Sequence, residues 1–174
     1  MNITEFKAKL QFGGARPNLY RVLMSFPTFA GGQQETEEMS FLCKAAQIPA
    51  GTVGTIEIPF LGRILKVGGD RTFEEWTLTI LNDNDFVIRN AFERWMDAIN
   101  GHDSNVGLVR PQDYMTDAIV QQLNRNHEVV KEYNFVDLFP SNIDAIDLGF
   151  ENTDVVEEFA VTVQYQYWTA NTTT

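Results

Sequence analysis

Large apolar residues alternate with small or polar ones along residues 159–167, where Phe159, Val161, Val163, Tyr165 and Tyr167 interleave with Ala160, Thr162, Gln164 and Gln166. A period of two predicts an antiparallel strand with one buried face. Residues 75–80 repeat the pattern, with Trp76, Leu78 and Ile80 on one face and Glu75, Thr77 and Thr79 on the other. Trp76 therefore reads as a core residue. Strands are also predicted over 19–26, 39–46, 52–58, 63–67, 116–123 and 129–138, which are rich in Val, Ile, Thr, Tyr or Phe and mostly bounded by Gly, Pro, Asn or Asp. One stretch has the other period. From Phe86 to Asn100, Ile88, Phe92, Trp95, Met96 and Ile99 recur at helical spacing, Asp83, Asn84 and Asp85 offer N-caps, and Gly101 supplies a stop.

Eight predicted strands and one helix imply a mainly β fold, an antiparallel β-sandwich or partly open barrel with one flanking helix at about residues 85–100. A chain of 174 residues that is 44% hydrophobic supports one sizeable core, so residues 1–174 are read as a single domain. Loops are expected at 31–34 and 101–107, residues 29–38 read as a loop between the first two strands, and both ends, 1–14 and 170–174, look extendable. No internal repeat stands out.

Charge narrows the functional classes. The net charge of -11 argues against a protein that grips nucleic acid by neutralising phosphates. Residues 1–71 carry eight Lys/Arg against six Asp/Glu, and residues 72–174 carry five against eighteen. Such asymmetry suits head-to-tail complementarity between copies, or simply two unevenly solvated halves. The lone Cys43, in the apolar run Phe41-Leu42-Cys43, reads as a small buried hydrophobe. No run reaches the length of a membrane span and no signal peptide is apparent, so a soluble protein made in a cytoplasm is expected.

Chemistry is hard to find. His102 and His127 lack Cys or acidic residues at ligand spacing, and Asn82-Asp83-Asn84-Asp85 fails as a calcium loop because Val87 and Ile88 stand where a ligand and a glycine are needed. The pairs Glu37-Glu38, Glu74-Glu75 and Glu157-Glu158 are expected in so acidic a chain. Gly68-Gly69-Asp70-Arg71 reads as a Gly-rich turn with a local Asp70–Arg71 pairing, without the longer phosphate-binding patterns. The sequence thus predicts no catalytic residue, no cofactor and no metal.

A set of segments gives a positive reading. Ala15-Arg16-Pro17-Asn18-Leu19-Tyr20, Cys43-Lys44-Ala45 leading to Pro49-Ala50-Gly51, Pro59-Phe60, Gly62-Arg63, and Val67-Gly68-Gly69-Asp70-Arg71-Thr72-Phe73 with Trp76 resemble the tail tube proteins of contractile-tailed bacteriophages. The resemblance continues through Leu81-Asn82-Asp83, the helix with Phe92 and Trp95, Leu138-Phe139-Pro140, and Glu158-Phe159-Ala160 to Tyr165-Gln166-Tyr167-Trp168. Each piece is weak, but together they span nearly the whole chain in order.

That resemblance implies a structural virion protein whose hexameric rings stack head-to-tail into the inner tail tube, the conduit for DNA ejection, inside a contractile sheath. The haemolysin-coregulated protein of type VI secretion is similar in architecture, so a tube carrying protein effectors is the alternative. The implied partners are further copies of the chain, the sheath protein, baseplate and tail terminator proteins, and double-stranded DNA that passes without specific binding. No membrane is implied, and the site of synthesis is the host cytoplasm.

The resemblance also assigns contact roles. An N-terminal arm over 1–18 would be closed by Arg16, Pro17 and Asn18, and residues 46–62 would form a projecting loop or hairpin, or an ordinary one. Pro49, Gly51, Val53, Ile56, Pro59, Arg63, Asp70 and Arg71 are the expected contacts between subunits or rings, and 170–174 is a polar tail. Glu75, Thr77, Thr79, Thr162, Gln164 and Gln166 would suit a lumen that offers phosphates no cations, although the same faces could lie outside. Residues 128–160 hold nine Asp/Glu and one Lys, which motivates an acidic lumen.

Overall fold

The computed structural model describes residues 2–10 and 14–173. Among them run α1 (Ile3–Lys9), β1 (Tyr20–Met24), α2 (Gln33–Leu42), β2 (Cys43–Ala46), β3 (Thr52–Phe60), β4 (Arg63–Thr72) and β5 (Trp76–Leu81). There follow α3 (Val87–Ile99), α4 (Pro111–Tyr114), β6 (Thr116–Leu123), β7 (Val129–Ile143), β8 (Glu158–Gln164) and β9 (Tyr167–Ala170).

Hydrogen bonding follows the path β1-β6-β7-β8-β5-β2, with β9 added to β7 and the β3–β4 hairpin standing apart. All these pairs are antiparallel. The path folds over on itself because β7 serves two layers. Its first part pairs with β6 and β9, and from Phe139 onward it pairs with β8. The change of direction falls at a bulge beside Asp137, which has a positive φ of 54° and whose N–H donates to the Asp117 carboxylate at 3.1 Å. Bulges of this kind let a strand leave one sheet for another. Because β1 and β2 do not pair, the barrel stays open. Helix α2 packs along β1 at this seam, and the Tyr20 hydroxyl crosses it to donate to the Cys43 carbonyl at 2.9 Å.

The core forms where the apolar faces meet. Trp76, Leu78 and Ile80 of β5 and Phe159, Val161 and Val163 of β8 point inward, with Trp76 stacked on Phe135 at 4.2 Å. Helix α3 closes the layer with Ile88, Ala91, Phe92 and Trp95, all buried at the spacing of one helical face. Phe26 meets Phe92 and Trp95 edge-on at 5.2 and 5.8 Å. The mainly β architecture and the flanking helix agree with the sequence reading.

Several boundaries differ from it. Residues 29–38 are not a long loop, and 39–46 are not all strand, because α2 occupies Gln33–Leu42. Its Glu and Gln residues favour helix, and Glu35 accepts the Gly32 N–H at 2.7 Å. Only Met39 is buried, so the helix leaves no apolar periodicity to read. The run 159–167 is two strands broken at Tyr165-Gln166. Inward positions shift there from odd (Phe159, Val161, Val163) to even (Trp168, Ala170), as the chain passes from one layer to the other. Residues 68–71 belong to β4 and lie at a bulge, where Gly54 and Gly69 allow the backbones to approach, so they are not a turn. No salt bridge among the described residues involves Asp70 or Arg71. At the start of α3, Phe86 in the left-handed region takes the cap position, while Asp83 accepts the Val87 N–H at 3.1 Å. Within the arm over 1–18, residue 1 and residues 11–13 lie outside the described residues, and α1 occupies part of the rest. In the tail over 170–174, Ala170 is buried in β9, 171–173 are exposed, and Thr174 lies outside the described residues.

Candidate assembly surfaces

The β3–β4 hairpin is a surface that the fold leaves bare. Its residues are exposed throughout except for a half-buried Gly69. The strands make a regular ladder with Ile56 opposite Val67, Ile58 opposite Leu65 and Phe60 opposite Arg63. Cross-strand partners share a face, so Ile56, Ile58, Phe60, Leu65 and Val67 form one apolar stripe. The opposite face carries Glu57 and Lys66, paired at 3.3 Å, together with Pro59 and Ile64. The turn is Leu61-Gly62, with φ of 45° and 79°, and Leu61 is 89% exposed at the tip. A two-stranded hairpin with neither face covered is marginally stable in water. Covering the stripe is worth on the order of 5 kcal/mol if each side chain regains part of its burial energy.

The base of the hairpin is firmly held. The Trp76 indole donates to the Gln47 carbonyl at 2.9 Å, and the Trp168 indole donates to the Ala50 carbonyl at 3.0 Å. A Cβ on Gly51 would touch the Trp168 ring at 3.4 Å. Pro49 and Gly51 thus sit at the root, Val53, Ile56, Pro59 and Arg63 lie along the two strands, and Asp70 and Arg71 lie beyond the bulge where β4 returns. The eight contact residues expected in this region fall on one structural unit. Arg16, Pro17 and Asn18 are exposed ahead of β1, where the Arg16 carbonyl accepts from the Gln122 side chain at 2.6 Å.

The expected lumen positions divide. Thr77 lies opposite Thr162, Glu75 accepts from the Gln164 amide at 3.0 Å, and Thr79 continues the same outward face of β5 and β8. Gln166 is separate, in the break between β8 and β9, where its N–H donates to the Val136 carbonyl at 3.1 Å. Of the first five only Glu75 is a carboxylate, and Glu158, farther along the same face of β8, is paired with Lys44. Much of the acid of 128–160 sits elsewhere, in the loop between β7 and β8.

Two surfaces escaped the sequence reading. The hairpin stripe includes Ile58, Phe60 and Leu65, whose alternation was the available signal. The β7–β8 loop presents Leu148 and Phe150, 82% and 107% exposed, and the signal for it was an apolar pair set among acids in Asp147-Leu148-Gly149-Phe150-Glu151.

Titratable groups do not converge on a reactive centre. Cys43 is buried, and that burial pushes its thiol up to about 12, where it stays protonated and unreactive. His102 is exposed and meets Asp97 at 2.7 Å, a contact that lowers the Asp97 carboxyl. Among the described residues no three His, Cys, Asp or Glu are grouped to hold a metal. No helix among them is long and apolar enough to cross a membrane.

Comparison with known proteins agrees with this geometry. A family model described as phage tail tube protein matches residues 15–171. The tail tube protein gp19 of Enterobacteria phage T4 is 36% identical over 155 residues, covering 88% of this chain and 90% of that protein. The fold superimposes with a TM-score of 0.68 and 12% identity on a chain of the six-fold symmetrised anti-feeding prophage baseplate, covering 90% of this chain and 95% of that one. A chain from the extended sheath–tube complex of an extracellular contractile injection system gives 0.64 with 11% identity and 98% coverage of both.

Proposed function

The chain belongs to the phage tail tube protein family, and on that premise we propose that six copies close into a ring and that rings stack head-to-tail into the inner tube of a contractile tail, through which double-stranded DNA is ejected. The observation that carries this reading is the bare β3–β4 hairpin, an apolar stripe on a firmly held base that none of the described residues covers. A neighbouring copy is the natural cover. The subunit also leaves β1 and β2 unpaired on one side each, and joining such edges between copies removes the exposed backbone that an isolated sheet presents. A contact between two different patches of the same chain generates rings if the rotation closes and filaments if it does not.

In this assembly the hairpin, with Pro49, Gly51, Val53, Ile56, Pro59, Arg63, Asp70 and Arg71, reaches an adjacent subunit or ring. The arm residues Arg16, Pro17 and Asn18 also contact a neighbouring copy. Glu75, Thr77, Thr79, Thr162 and Gln164 line the lumen, a wall mostly of hydroxyls and amides on which Lys44 of the adjoining strand is already paired with Glu158. Gln166 lies beside that wall. The protein's role is structural, its place is the virion, and its other partners are the sheath, baseplate and tail terminator. The fold does not distinguish a phage tube from an injection-system tube, but 36% identity to a phage protein favours the phage.

Negative-stain microscopy of the purified protein tests the proposal. Rings or tubes are expected. Monodisperse monomer at every concentration and salt tried, even with a tail baseplate supplied as nucleus, would overturn it.

A further inference from the structure

Beyond the hairpin, two other bare features lie at opposite ends of one strand. At the start of β7, a cleft of about 350 Å³ is walled by Leu19, Leu123 and Val130 and rimmed by Lys9, Arg16 and Arg125. None of these three cations is in a salt bridge among the described residues. At the far end of β7, the loop over 144–157 carries Leu148 and Phe150 almost fully in solvent, flanked by Asp147, Glu151 and Asp154. These three carboxylates are also outside every salt bridge among the described residues.

The loop has a held root and a free crest. The Asp144 N–H donates to the Ala160 carbonyl at 2.9 Å, Arg89 donates to the Asp144 carbonyl at 2.9 Å, and the Asn82 N–H donates to the Glu157 carbonyl at 2.8 Å. Only the part between these anchors projects. Between cleft and crest run the 15 residues of β7, which passes from one layer to the other at the bulge beside Asp137. No residue of the crest lines the cleft of its own subunit.

We propose that the crest Leu148-Gly149-Phe150 of one copy inserts into the Leu19–Leu123–Val130 cleft of a second copy, with Asp147, Glu151 and Asp154 meeting Lys9, Arg16 and Arg125 around the rim. This rests on the tube reading above and supplies one of its inter-copy contacts. The fit follows from shape and sign. A dry cavity of roughly 150 Å³ accepts a benzene-sized group, so this cleft accommodates the Phe150 ring with Leu148 beside it. The rival occupant, the hairpin tip, would bring Arg63 to a rim that is already cationic, and its one carboxylate, Glu57, is paired with Lys66, so it offers the rim less complementary charge than the crest does. A plug and a socket formed by two different patches of one chain also make a heterologous contact, which propagates.

Crosslinking between copies is the test. Val130→Cys and Phe150→Cys are combined in the full chain and treated with a short bis-maleimide under tube-forming conditions. Both positions are exposed in the subunit, so the fold tolerates them, and buried Cys43 does not compete. The expected result is a ladder of covalent oligomers in the double variant, absent from either single variant and at least tenfold weaker at a dilution where only monomer is present. Tubes that form without a 130–150 ladder would overturn the inference and leave the tube reading intact. A ladder between Val130→Cys and Leu61→Cys, with none at Phe150→Cys, would also overturn it, by placing the hairpin in the cleft. Failure of the unmodified protein to form rings or tubes would overturn the tube reading, and this inference with it.

Discussion

The β5–β8 pair and the β3–β4 hairpin are made from the same kind of sequence, alternating apolar and polar residues in two antiparallel strands, yet they end in opposite environments. In β5 and β8 every second side chain is buried against Phe135, Trp95 and the helices, whereas in the hairpin Ile56, Ile58 and Phe60 remain in water. Period two therefore states that a strand has an apolar face. It does not state whether that face meets its own subunit or another. What separates the two regions is the neighbourhood: α3 and β7 pack on the core, whereas among the described residues the hairpin strands stay exposed on both faces. One region stores the stability of the subunit, and in the proposed assembly the other holds the energy of contact between copies.

The sharpest way to break this comparison is to damage each region and ask what fails. Trp76→Ala removes a buried ring stacked on Phe135 and also leaves the Gln47 carbonyl without its donor. Stability in urea should fall by about 3–5 kcal/mol, and assembly should fail because the subunit does. The double change Ile58→Asp and Phe60→Asp should instead shift subunit stability by less than about 0.5 kcal/mol, as exposed positions do. In the same variant the concentration needed to form tubes should rise at least about 100-fold, equivalent to roughly 2.7 kcal/mol of lost contact. If the hairpin double variant unfolds, or still assembles at the original concentration, the two regions do not divide the work in this way.

Much of the fold was legible because burial inside one subunit leaves its mark as periodicity. The strands around Trp76 and Val161 and the helix around Phe92 and Trp95 were readable for that reason. Helix α2 was not, since a helix with one buried residue has no stripe to count. The break at Tyr165-Gln166 was hidden because both halves look like strand, and only the change in inward parity reveals the passage between layers. Among the surfaces, the hairpin was placed by family resemblance, and its apolar stripe by the ladder register. The crest at Leu148 and Phe150 carries no periodicity, and its one signal, an apolar pair set among acids, gains meaning only with its exposure.

Alkaline pH separates the regions by chemistry. Burial raises the Cys43 thiol from its ordinary value to about 12, and Tyr20 and Tyr165 are raised as well, also chiefly by burial. The folded subunit keeps the Cys43 proton while the unfolded chain loses it, so this stabilisation is complete below about 9 and is lost as pH rises from there toward 12. Subunit stability should decline by about 1.4 kcal/mol per pH unit in that window from this group alone. The slope should flatten in Cys43→Val, measured by urea melts across pH. The apolar hairpin contact has no such group, and a tube that dissociates into folded subunits well below pH 9 would point to a titrating contact outside the stripe.

The smallest expected effect lies at the tip, where the two requirements of the hairpin conflict. Leu61 holds a φ of 45°, a conformation that costs a non-glycine residue about 1–2 kcal/mol and that an Asn-Gly turn adopts readily. Its side chain is 89% exposed, so the isolated subunit gains no packing in exchange. Leu61→Asn should therefore tighten the free hairpin, slowing amide exchange along β3 and β4 by roughly five-fold for a relief of about 1 kcal/mol. If Leu61 is held there to touch the next copy, the same change should raise the concentration required for tube growth several-fold, so that hairpin order and assembly move in opposite directions. If both improve together, the tip makes no contact in the tube, and the interface must be sought lower on the stripe, around Ile56 and Val67.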